Sequence, residues 1–131
     1  MNLLFKEILV VMVGGGLGST VRLLLSRWVT TVMPYENLPW GIIVVNILGC
    51  FCIGVLYVLF SSYFLENTLW RVGLIVGVLG GFTTFSSFSL DTIHLVEKGM
   101  PALAVFNVLI SVICCLSATS FGVWLARWIV A

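Results

Sequence analysis

The chain has 131 residues, 61% of them hydrophobic and only 8% charged, with a mean hydropathy of +1.22. A soluble domain of this size cannot hide so much apolar surface, so lipid is the solvent. A formal net charge of +1 with no basic patch excludes a nucleic-acid binder, and the run after Lys6 lacks the small-residue cleavage site of a signal peptide.

The first segment runs from about 3 to 33 and carries Arg22 and Arg27 in its second half. Its glycines, Gly14, Gly15, Gly16 and Gly18, follow no strand and are no nucleotide fingerprint. They read as a place of close helix contact or a local kink. Pro34 is expected to end the segment. The second segment runs from about 38 to 63, inside 28 residues without a charge, which suffices to span a bilayer with tilt. Pro39 suits its first turn. Asn46, Cys50 and Gly54 share one face, and an asparagine in lipid must face protein, water or an ion.

The third segment runs from about 69 to 97, with Asn67 or Thr68 as its cap. Gly73, Gly77 and Gly81 form a small-residue stripe suited to tight helix packing. Then comes Gly80-Gly81-Phe82-Thr83-Thr84-Phe85-Ser86-Ser87-Phe88. Two glycines loosen the backbone there, and hydroxyls can occupy backbone groups that a regular helix satisfies internally. We read it as a helix broken in mid-membrane with something small and polar at the break. Beyond it, Ser87, Asp91, His94 and Lys98 line one face, with His94 near the membrane edge. The fourth segment runs from about 102 to 128, its most polar stripe being Asn107, Ser111, Cys114/Cys115, Ala118 and Gly122. The five tryptophans lie near segment ends, where interfacial aromatics belong. The expected fold is therefore one all-α membrane domain, residues 1–131, of four transmembrane helices with the third broken.

Cys50, Cys52, Cys114 and Cys115 all fall in apolar segments with no histidine near. Cys50 and Cys52 point to different sides of a helix, and sequence neighbours such as Cys114 and Cys115 rarely bridge. They read as small packing residues rather than a metal or redox site.

Four spans put both termini on one side. Lys6, Arg71 and Arg127 then fall on that side; Arg27 and Lys98 fall on the other, with Arg22 leaning that way. This balance sets no orientation by the positive-inside rule and permits insertion both ways, with pairing to an inverted copy. A unit this small is expected to work as an oligomer.

The spans hold no acid–base dyad, nucleotide loop, haem motif or zinc spacing, so no enzyme is expected. What remains is a set of uncharged donors with phenylalanines. Phe85 and Phe88, three apart, share a face after the break. Ring edges carry partial positive charge, and with amide and hydroxyl donors they can replace part of a small anion's water shell. Carbonyls at the break favour a cation such as Na⁺.

These residues resemble the small dual-topology fluoride channels of the Fluc (CrcB) family. The resemblance covers essentially the whole chain: Gly14-Gly15-Gly16-Leu17-Gly18 with Arg22, then Gly41 to Asn46 with Gly49, then Gly80 to Phe88. It implies an antiparallel homodimer in the bacterial inner membrane, with two pathways that export fluoride passively. It further implies a structural Na⁺ at the dimer centre, held by the backbone carbonyls of Gly80 and Thr83. The anion pathway it implies comprises Asn46, Phe85, Phe88, Ser111 and Thr84, with Arg22 toward an aqueous vestibule. Ser87 stands where the family often has threonine, and Asp91 where it often has glutamate. Two other readings compete. A proton-coupled small multidrug exporter needs a carboxylate within the membrane, and the first segment offers only Glu7 at its edge. A non-transporting assembly subunit fits the glycine stripes but not the broken helix.

Overall fold

The structure is a computed structural model that describes residues 2–33, 37–63 and 68–131. Among them there is no strand, and four helical spans are long and apolar enough to cross a membrane. The first is α1 (Leu3–Val32), whose amino end is capped by the Asn2 side chain. The second is α2 (Trp40–Ser62), entered through Pro39, which sits one residue before the first helical turn. The third is composite. It comprises α3 (Thr68–Arg71), a π-helical stretch π1 (Val72–Leu79), α4 (Gly80–Phe82) and, after a break at Thr83 and Thr84, α5 (Phe85–Glu97). The fourth is α6 (Pro101–Val130), with proline in its first turn. Pro34 and Asn67 lie outside the described residues, and Thr68 is the first residue of α3.

Two close pairings build the unit: α1 lies on π1 and α4, and α2 lies on α6. Lipid gives helices no hydrophobic reason to associate, so close backbone packing through small residues carries the association. On the first pairing, a Cβ at Gly14 would come within 2.7 Å of the Gly73 carbonyl oxygen, and one at Gly77 within 3.2 Å of the Val10 carbonyl oxygen. Gly81 rests on the backbone of Gly15, and Gly18 on the carbonyl of Val78. The stripe Gly73, Gly77, Gly81 thus meets the glycines of α1 directly. On the second pairing the fit is reciprocal, Gly54 sitting over the Thr119 carbonyl and Gly122 over the Phe51 carbonyl. Thr119 also donates its hydroxyl to the Cys50 carbonyl at 3.0 Å. Gly16, by contrast, faces open space.

The buried core is correspondingly thin, with Val29, Ile43, Val45, Val58, Leu79, Leu95, Ala104 and Ala126 among its members. Most large apolar side chains of α1 and α6 face outward, as a surface in contact with lipid or with another protein requires.

Candidate ion pathway

The break is built from the residues that flank it. Thr84 is extended, with φ −153° and ψ 118°, so its peptide groups leave the helical ladder. Asn46, on α2, takes both of them. The Thr84 N–H donates to Asn46 Oδ1 at 2.8 Å, and Asn46 Nδ2 donates to the Thr84 carbonyl at 3.0 Å. The side-chain amide replaces the peptide partner that the break removed, and in hydrocarbon an unpaired backbone group costs several kcal/mol. The second N–H of Asn46 Nδ2 remains available. Thr84 then caps α5: its Oγ1 accepts from the Ser87 N–H at 3.2 Å and lies 3.1 Å from the Ser86 hydroxyl. From α1, Ser19 donates to the Gly81 carbonyl at 3.3 Å, and Arg22 Nη1 to the Thr83 carbonyl at 3.4 Å.

Beside the break lies a cavity of about 370 Å³, walled by α2, π1, α4, α5 and α6. Asn46, Thr84, Phe85, Phe88 and Ser111 all line it, together with Gly80 and Thr83. Among the described residues, no charged side chain does. The rings of Phe85 and Phe88 stand 5.3 Å apart between centroids at an interplanar angle of 49°, and Phe85 is 77% exposed. Ser111 is buried, and its hydroxyl has no hydrogen-bond partner among the described residues. One turn away, Asn107 is 0% exposed; its Nδ2 donates to Thr92 Oγ1 at 2.8 Å, and Thr92 donates to the Phe88 carbonyl at 2.7 Å. That chain of bonds ties the ring-bearing turn of α5 to α6.

Arg22 is the expected pathway residue that does not line this cavity. It reaches the break from α1 and there meets Thr83. Asn46 and Thr84 line the cavity, and two of the four hydrogen bonds the Asn46 amide can make go to the Thr84 peptide groups. Three contributors escape a reading of the sequence: Ser19, Thr92 and the partner of Asn46. Each depends on a contact between distant segments, and no local spacing signals it.

The turn at Gly80 and Thr83 offers backbone carbonyls to the expected cation. The Thr84 N–H, which would serve the Gly80 carbonyl in a continuous helix, is turned to Asn46. Gly80 is exposed and Thr83 is half-buried. No group of three or more His, Cys, Asp or Glu gathers among the described residues, so backbone oxygens are the ligands this turn offers. Such oxygens suit a hard cation, and the long Arg22 contact leaves Thr83 a second lone pair.

A helix broken in the membrane beside an uncharged, hydroxyl- and ring-lined cavity defines a class, that of small ion-conducting membrane proteins. The family model described as CrcB-like protein, Camphor Resistance (CrcB), matches residues 9–123. The chain is 42% identical over 121 residues to a fluoride-specific ion channel FluC of Agrobacterium fabrum, covering 92% of this chain and 96% of that one. It is 45% identical over 115 residues to one of Pseudomonas putida, covering 88% and 92%, and 37% identical over 122 residues to one of Leptospira interrogans, covering 93% and 95%. The chain belongs to the CrcB family and is a multi-pass membrane protein.

Proposed function

We propose that this protein is a fluoride-selective channel that lets F⁻ leave the cell passively, lowering fluoride toxicity. The observation that carries the reading is the cavity at the break, which Asn46, Phe85, Phe88 and the unpartnered Ser111 line with no charged side chain among the described residues of its wall. Each is a weak donor to an anion, and several weak donors bind a small, strongly hydrated ion loosely enough for it to move on. The amino end of α5 adds its positive dipole at the same place. A membrane potential negative inside drives an anion outward, so no energy coupling is required. The relatives named above are fluoride-specific channels, which supports the choice of ion.

The working unit in this reading is a homodimer in the bacterial inner membrane, two copies related by inversion. Gly80 and Thr83 of each copy would hold a shared Na⁺ through their carbonyls, and that ion would supply a fixed positive charge that joins the copies. The exposure of Gly80 and Phe85 and the balanced loop charges support this arrangement.

Fluoride-loaded proteoliposomes test the function. Purified protein releases F⁻ to a selective electrode when a potassium ionophore sets the voltage, and chloride stays inside. Absence of release, or equal chloride loss, refutes the proposal.

A further inference from the structure

The α2–α6 pairing brings Cys50 and Cys115 together. Both line the ion cavity, on two helices that pack closely against one another. Neither is fully buried. The contact is fixed by the fit around it: the Cys50 carbonyl accepts from Thr119, one turn beyond Cys115 on the same face of α6, while Gly54 and Gly122 hold the two backbones close. Two thiols with no third ligand among the described residues do not suit zinc, which takes four. They suit a soft monovalent cation, Cu⁺ or Ag⁺, for which thiolate is the preferred ligand.

We propose that Cys50 and Cys115 form a two-thiolate site for a soft monovalent cation in the wall of the ion cavity, and that its occupation closes the pathway. Two neutral thiols and one M⁺ give a thiolate–metal–thiolate bridge of net charge −1, with two protons released to water and no change of oxidation state. Coordination makes the thiols lose their protons. Asn46 precedes Cys50 by one turn and Ser111 precedes Cys115 by one turn, so the bridge lies roughly 6 Å along the helices from both anion donors. A negative charge there repels a passing anion, and the metal bridge fills part of a narrow space. The effect on conduction rests on the fluoride reading above; metal binding does not.

Silver nitrate in chloride-free buffer is the probe, applied to the full chain in detergent for binding and in proteoliposomes for flux. The expected result is one tightly held Ag⁺ per chain with a thiolate-to-metal ultraviolet band, and fluoride efflux that falls on addition and returns with excess dithiothreitol. Cys50→Ala/Cys115→Ala loses both the band and the Ag⁺ response, each scored against the same variant without metal. Cys52→Ala/Cys114→Ala keeps both. Single variants Cys50→Ala and Cys115→Ala, which disturb the helix contact less, need roughly a hundredfold more Ag⁺, because one ligand no longer holds the metal for the other. Tight binding that survives loss of Cys50 and Cys115 overturns the site. Tight binding that leaves efflux unchanged overturns the closure. Metal-free protein that releases no fluoride instead refutes the fluoride reading, and the site then stands or falls on binding alone.

Discussion

Asn46 has two roles that substitution can separate. Its amide satisfies both peptide groups of Thr84, and the residue lines the cavity. Asn46→Ala orphans a buried N–H and a buried carbonyl, each costing roughly 1–3 kcal/mol. Thermal unfolding in detergent should show that loss together with reduced efflux. Asn46→Asp keeps the acceptor for Thr84 but loses the donor, and it sets a negative charge beside both the Thr84 carbonyl and the anion path. Its flux should fall at least as far as that of Asn46→Ala, and an unchanged rate would place Asn46 off the pathway. The two phenylalanines are simpler. Phe85→Ile or Phe88→Ile keeps an apolar side chain but removes the ring quadrupole. Fluoride efflux should drop while size-exclusion behaviour stays that of the parent, and parental flux in both would reduce the rings to packing. Phe85 and Phe88 were legible because three-residue spacing places them on one face whatever the partner. The Asn46–Thr84 clamp was not, since the two residues are 38 apart in sequence and nothing local marks them as partners.

At the scale of the helix, glycines differ sharply in what they do. A Cβ at Gly18 would strike the Val78 carbonyl and come within 2.9 Å of the Phe82 nitrogen, both backbone atoms that cannot swing aside. Gly18→Ala should therefore push α1 from the third span just before the break, lowering thermal stability and flux together. Gly16 meets nothing within 4 Å, so Gly16→Ala should be neutral or raise stability by up to about 1 kcal/mol through helix propensity. Parallel unfolding curves in detergent separate the two outcomes, and equal effects would mean that close packing does not set the glycine pattern. The stripe Gly73, Gly77, Gly81 and the break were readable from residue spacing and from the crowding of glycines and hydroxyls. The π-helical hydrogen bonding of Val72–Leu79 was not, because an apolar stretch looks alike in either helix type. Nor was the meeting of Cys50 with Cys115, which depends on the face α6 turns to α2. π turns are rare and recur at functional sites, and only the short α4 separates this one from the break.

Across the whole molecule, the even charge distribution makes the strongest demand. Lys6, Arg71 and Arg127 lie on the side of the termini, against Arg27, Lys98 and, near that end, Arg22. If the working unit is a pair of inverted copies, the cell must insert this chain both ways, and biasing insertion must remove function without touching the pathway. Positive charge retained in the cytoplasm provides the bias. Ser62→Lys with Ala131→Lys adds charge on the side of the termini. Thr31→Lys with Asn37→Lys adds it on the other. All four positions are exposed at or beyond helix ends, where a long cationic side chain reaches the interface, and at Thr31, Ser62 and Ala131 a cation near a helix carboxyl end also suits the dipole. Each biased variant expressed alone should insert in one orientation, as reporters fused to the carboxyl terminus would show, and should lose most of its fluoride efflux. Expressing the two together should restore it, since each then supplies the inverted partner the other lacks. Full efflux from either variant alone, with its orientation shown to be single, would mean that copies of one orientation suffice, and the shared Na⁺ between inverted breaks would have to be abandoned with the inverted pair.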